Sequence, residues 1–235
     1  MRAISHEIRL PYQPVVVPSL PAADVLDFRG YFRVEAFSAG QVIYRAGQSN
    51  EKIYLLRSGR VRLLDAAGHG FAVHAILKPG DLFGDVFESR GAGPSAHPDS
   101  DEQAESSGPS EVWSIETRDF RALLEARPSL AVEVVRALGE RVRSLQARVV
   151  GLTRKDVPAR LAQTVLSLAT SSGGFEGRAR ALHGVTQQDL AELVGASRSF
   201  VSTLINQLKR DGVLASQGRA LLVKDEAALS RLAAG

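Results

Sequence analysis

Arg198 heads a row of hydrogen-bonding side chains at a fixed spacing: Ser199, Ser202, Thr203 and Asn206 stand at i, i+3, i+4 and i+7. That period gathers them into one stripe along a helix. Val201, Leu204, Ile205 and Leu208 repeat the same spacing on the other side, so one face suits a core and the other suits a polar partner. An arginine in such a position can donate two parallel bonds to O6 and N7 of guanine. The serine, threonine and asparagine side chains can reach base edges or phosphates. The chemistry implied is recognition by hydrogen bonding. The plainer alternative is a helical hairpin with a solvated polar face.

Elements on either side would have to hold that stripe. The Thr186 hydroxyl is placed to accept from orphan amides at the start of a helix over Gln187–Val194. Gly195-Ala196 makes a tight turn, and Ser197 caps a second helix that runs to about Asp211, before Gly212. Leu190 and Val194 are apolar, and Ala191 is small where two helices must cross closely. The pattern is that of a helix-turn-helix, whose second helix enters the major groove with its N-terminal residues against base edges. Val213–Ser216, Gln217-Gly218 and Ala220–Val223 then form a small hairpin, a wing, with Arg219 at its turn able to meet a phosphate.

The preceding chain divides by texture. Residues 1–30 form a proline-rich arm with a strand-like Val15-Val16-Val17 and a short helix near Ala22–Gly30. From 31 to 90, glycines punctuate short β-branched and aromatic segments such as Val42–Tyr44, Ile53–Leu56, Val61–Leu64 and Phe71–Ile76. Short strands between regular turn signals predict an antiparallel roll, barrel or sandwich. Residues 91–110 form an exposed loop rich in Gly, Pro and Ser, with a strand starting near Glu102 and resuming at Glu111–Ile115, where Trp113 caps the core. Thr117 and Asp119 are candidate caps of a short helix over Phe120, Leu123 and Leu124, and Pro128 starts a longer one. Leu138, Val142, Leu145, Val149 and Leu152 follow each other by 4, 3, 4 and 3 residues, a heptad seam suited to pairing with a parallel copy. The alternative is a helix packed on its own roll. Asp156–Ala169 is again helical, ended by Ser171-Ser172-Gly173-Gly174, and the domain junction falls near 151–156.

The expected fold class is therefore α+β. Residues 1–127 are an antiparallel β-roll with its arm, 128–155 a dimerisation helix and hinge, and 156–235 a winged helix-turn-helix. Charge is unevenly spread over the 235 residues: the stretch 85–119 carries −7, whereas 151–235 carries +4. The basic end suits a nucleic acid, although a solvated charged face has the same composition. The absence of cysteine excludes disulfides, thiolate zinc sites and iron–sulfur clusters held by Cys. His6, His69, His74, His97 and His183 are scattered, so no metal site is expected; His69 and His74 could approach across a hairpin. No phosphate loop, nucleophile elbow, zinc-protease or dinucleotide motif is present, so no enzyme is expected. Asp81 and Asp85 are read as turn and loop residues. No membrane span or secretory signal is visible, and a cytoplasmic protein is expected.

The chain resembles the cyclic-AMP receptor protein / fumarate-nitrate regulator (CRP/FNR) family of bacterial transcription factors. The residues that carry the resemblance are T-Q-Q-D-L-A-E-L-V-G-A-S-R-S-F-V (Thr186–Val201), A-G-Q-V-I-Y-R-A-G (Ala39–Gly47), I-Y-L-L-R-S-G-R-V-R-L (Ile53–Leu63) and P-G-D-L-F-G-D (Pro79–Asp85). It implies a homodimer on double-stranded DNA, phosphate contacts by Thr186, Gln188 and Ser197, and base contacts from Arg198 and its neighbours. RNA polymerase is a further candidate partner of such a regulator.

Three departures shape the expectation. Members that bind cyclic AMP carry Gly-Glu in the roll, then an Arg-Ser pair on the cyclic phosphate, and Thr-Ser on the dimer helix. Here the first is Gly84-Asp85, the segment 91–110 has no arginine, and the third is Leu145-Gln146. An anionic phosphate would lack its charge-assisted bonds, so cyclic AMP is not expected as an effector. No histidine matches the haem-sensing members, and no cofactor is expected. Many members read DNA through Arg-Glu-Thr-Val. This chain has Arg198-Ser199-Phe200-Val201, in which Phe200 could touch a thymine methyl or pack inward. The competing reading is a small-ligand sensor or partner-binding module with secondary DNA affinity.

Overall fold

The computed structural model describes residues 29–48, 50–67, 70–84, 102–136, 138–139, 156–170, 175–176 and 179–234. The N-terminal arm to residue 28, the loop 85–101, the seam from Val142 to Leu152 and the expected junction lie outside the described residues.

Two four-stranded antiparallel sheets form the roll. β1 (Arg33–Phe37), β8 (Ser110–Glu116), β3 (Lys52–Ser58) and β6 (Leu82–Gly84) make one, in that spatial order. The other runs β2 (Val42–Tyr44), β7 (Glu102–Ser106), β4 (Val61–Ala67) and β5 (Gly70–Leu77). Between them lies a core of Ile53, Leu55, Leu56, Val61, Leu63, Leu77, Leu82, Val112 and Trp113. The Tyr44, Tyr54 and Phe83 rings stack within it, with centroids 5.1–6.2 Å apart. Burial pushes the Tyr54 hydroxyl up to about 12 and the Tyr44 hydroxyl well above its ordinary value. The Tyr44 hydroxyl donates to the Glu102 carboxylate.

α1 (Thr117–Ala126) closes one side of the roll with Phe120 and Leu123. The expected cap is corrected here: Glu116 occupies the N-cap without a side-chain bond, and Thr117 is already helical. Its hydroxyl instead donates to the Glu51 carbonyl, on the chain entering β3. Asp119 lies in the first turn, where the helix dipole favours an anion. α2, described over 128–136 and 138–139, starts where the proline predicts. Leu130 and Val134 are buried on the roll core and Leu138 packs half-buried beside them, whereas Val132 and Val135 are exposed.

One irregularity positions the rest. Leu63 pairs with Ala75 but Leu64 pairs with Val73, so β5 carries one extra residue, His74. Such a bulge changes which face the following side chains take. Ala75 and Leu77 join the roll core. Val73 and Ile76 join the core of the C-terminal unit instead. His74 itself is buried, its Nε2 3.1 Å from Glu102 Oε2 and 3.5 Å from Asp65 Oδ1. Among the described residues, no group of histidine and acidic side chains could hold a metal ion.

The C-terminal unit comprises α3 (Val157–Thr170), β9 (Phe175–Glu176), β10 (Ala179–Leu182), α4 (Gln187–Val194), α5 (Arg198–Arg210), β11 (Leu214–Gln217), β12 (Ala220–Val223) and α6 (Glu226–Ala234). The Asp156 carboxylate accepts the Ala159 amide at the start of α3. The wing is larger than a hairpin, because β10 pairs with β12 and β9 with β10. α6 packs its buried Leu229 into the same core as Leu161 and Val165 of α3.

Gly59 shows how tightly the roll corner is made. Its φ is +86°, and a Cβ there would run into the Pro109 carbonyl and the Ser110 hydroxyl. The left-handed backbone and the overlap both oppose a side chain. Gly59→Ala is expected to lower unfolding free energy by about 2–4 kcal/mol, which urea unfolding of the two proteins will measure.

Candidate nucleic-acid interface

α4 begins with a reciprocal cap. Thr186 Oγ1 accepts the Asp189 N–H at 3.1 Å, and Asp189 Oδ2 accepts the Thr186 N–H at 2.8 Å. Two orphan donors are satisfied at once. Asp189, only 2% exposed, escaped the sequence reading as a functional residue, although its place three after Thr186 carried the signal. α4 ends at Gly195, whose φ of +63° lies in the left-handed region and turns the chain sharply. The Ala196 amide then donates back to the Ala191 carbonyl.

α5 starts at Ser197, whose hydroxyl accepts the Phe200 N–H at 3.3 Å. Val201 and Ile205 are buried, and Leu204 and Leu208 pack beside them. Ala191 is buried in the same core, as the requirement for close helix crossing predicts. The opposite side is open: Ser197, Arg198, Ser199, Thr203 and Asn206 are exposed, and Ser202 is half-buried. Thr186 and Gln188 are exposed on α4's leading end, and Arg219 is exposed at the wing turn. Thus the helix-turn-helix and the wing present the predicted residues to solvent. Two hydroxyls are used locally. Ser199 Oγ lies 3.1 Å from Ser197 Oγ, and Thr203 Oγ1 donates to the Ser199 carbonyl at 3.0 Å.

The back of α4 is gripped by the roll. Arg62 Nη1 lies 3.3 Å from Asp189 Oδ1, while its Nε donates to Ser107 Oγ at 3.1 Å. Glu192 Oε2 accepts the Val73 N–H at 2.6 Å, and its Oε1 accepts from Gln188 Nε2, also at 2.6 Å. Val73, Ile76 and Leu64 of the roll share one apolar cluster with Leu161, Leu190, Leu193 and Val194. Arg60 is buried behind this contact, and burial lowers its guanidinium to about 10. Arg62, Val73 and Glu192 were not singled out from sequence, because their pairing joins residues more than 100 positions apart.

A glycine-cornered roll docked on a winged helix-turn-helix, with an open polar face on the second helix, defines a DNA-binding regulator with a sensor-type domain. Comparison with known proteins agrees. Residues 34–127 match the family model of the cyclic nucleotide-binding domain, and 159–232 match the Crp-like helix-turn-helix domain. The chain is 29% identical over 201 residues to the CRP-like cAMP-activated global transcriptional regulator of Mycobacterium tuberculosis, covering 84% of this chain and 86% of that one. It is 26% identical over 204 residues to the fumarate and nitrate reduction regulatory protein of Escherichia coli, covering 86% and 78%. Among solved structures, a CRP-family transcriptional regulator from Thermus thermophilus matches with a TM-score of 0.68 and 26% identity, over 86% of this chain and 97% of that one. FixK2 from Bradyrhizobium japonicum shares the fold, with a TM-score of 0.72 at 21% identity over 87% and 98%. The chain belongs to the CRP/FNR family of DNA-binding transcription regulators.

Asp189 links the cap to the roll, so its removal should be felt at both. Asp189→Ala is expected to cost about 2–3 kcal/mol, from the lost cap and the lost charge-assisted bond. Amide hydrogen exchange should quicken at Thr186, and an unchanged exchange rate there would contradict the assignment.

Proposed function

We propose that the chain binds palindromic double-stranded DNA as a homodimer, and that it does so without cyclic AMP. The observation that carries the reading is the two-faced α5. Val201 and Ile205 are buried at 0% and 1% exposure, while Arg198, Ser199, Thr203 and Asn206 face solvent. Arg198 supplies the guanine-reading fork, with Ser202 and Asn206 beside it. Thr186, Gln188, Ser197 and Arg219 hold phosphates and set the register.

The dimer reading is supported by exposed valines one turn ahead of the heptad seam. Val132 and Val135 are 64% and 67% exposed, and Val135 stands three residues before Leu138. The 3–4 spacing therefore starts at Val135 and runs on through Val142, Leu145, Val149 and Leu152, as a parallel helix pair requires. A twofold dimer places its two reading helices about one DNA turn, ~34 Å, apart. In this reading the protein is a cytoplasmic regulator, not an enzyme, and RNA polymerase is a further partner.

Independence from cyclic AMP is supported by charge. No arginine stands between Gly91 and Ser110. Within that segment, β7 brings Glu102 against Tyr44 and His74. A cyclic phosphate beside that carboxylate would be repelled where it needs a cation.

Selection from random duplex DNA, at fixed near-physiological salt and without added ligand, tests the proposal. The expected result is a palindrome, with binding that weakens steeply as salt rises and is unchanged by cyclic AMP. Arg198→Ala should lower affinity by about 1–3 kcal/mol and relax one base pair per half-site. Binding without a motif, or a motif that emerges only with cyclic AMP, would overturn it.

A further inference from the structure

Phe200 is an exposed aromatic, at 46% exposure, at the edge of the polar stripe of α5, between the exposed Thr203 and the half-buried Leu204. A single exposed apolar residue is ordinary on a protein surface, but its surroundings here are specific. Thr203 stands one turn on, at the i+3 spacing that brings side chains together on a helix. The Thr203 hydroxyl donates to the Ser199 carbonyl, so its methyl group is left as the outward-facing part. The Ser199 hydroxyl is likewise engaged with that of Ser197. The head of α5 thus offers Arg198 as its charged group and, two residues further round the helix, a ring with a methyl one turn on. Groups of this kind pack on the C5-methyl of thymine, the one apolar feature of the major-groove edge. The C-terminal region is also net basic, at +4 over 151–235, which suits a phosphate-lined partner.

We infer that Phe200, with the Thr203 methyl, is a specificity-determining residue that reads a thymine methyl in each half-site. The inference rests on the DNA-binding reading above. Ser199 stands where the resemblance has the Glu that accepts from cytosine, and Phe200, next to it, gives this chain a different contact beside the retained Arg198.

The test uses the full-length protein and its selected site, with each thymine replaced in turn by deoxyuridine. That change removes only the methyl group. One thymine per half-site is expected to show about three- to fivefold weaker binding, the worth of one buried methyl. Phe200→Ala should bind the thymine and uracil sites equally while keeping the preference set by Arg198. Phe200→Leu should restore part of the sensitivity. Thermal unfolding of both variants should match the parent, because Phe200 is exposed. A wild-type protein indifferent to uracil at every position would overturn the inference, as would a Phe200→Ala variant that keeps full sensitivity. Failure to select any motif would instead overturn the DNA-binding reading, and this inference with it.

Discussion

The structure turns on one buried carboxylate. Asp189 is 2% exposed, and a charge so placed persists only when its lone pairs are taken. One oxygen accepts the Thr186 amide and the other faces the Arg62 guanidinium. The first bond fixes the start of α4, and through it the exposed Thr186 and Gln188. The second fixes α4 against the roll. The same residue therefore orders the leading edge of the helix-turn-helix and ties it to the other domain. Neither task could be given up without leaving a charge buried and underpaired.

The bulge at His74 is the counterpart on the roll. In a regular strand Val73 and Ile76 would point to opposite faces. The extra residue turns both outward, into the cluster that holds Leu190 and Leu193. It also accompanies the Val73 amide's bond to Glu192, whose second oxygen holds Gln188. Strand pairing within β4–β5 and side-chain placement on α4 are thus parts of one arrangement. Tyr44 and Glu102 belong to this same sheet, and Tyr54 and Phe83 meet Tyr44 from the facing one.

Much of this was legible in the sequence wherever the signal was local. The bounds of α4, the glycine turn, the Ser197 cap and the wing strands followed from residue types within a few positions of each other. Six strands of the roll followed from regular turn signals, whereas β1 and β6 were not read as strands. β9 and β10 were missed because they are short, and all three missed elements, β9, β10 and α6, are held by partners elsewhere in the chain: β9 by β10, β10 by β12, and α6 by α3. The cap of α1 was misjudged for the same reason, since Glu51 claims the Thr117 hydroxyl. The docking of the domains was invisible, because a bulge and a salt bridge between distant residues leave no periodic trace.

The reading head illustrates the limit in the other direction. Four hydrogen-bonding residues, Ser199, Ser202, Thr203 and Asn206, are grouped on one stripe by type and spacing alone. Their hydroxyls are not equivalent once the helix forms. A threonine or serine in a helix can turn its hydroxyl back onto the carbonyl one turn earlier, and Thr203 does so with Ser199. A side chain counted as polar in the sequence then presents a methyl to its partner. Composition names the atoms available for recognition, but the local hydrogen bonds decide which of them remain facing the groove.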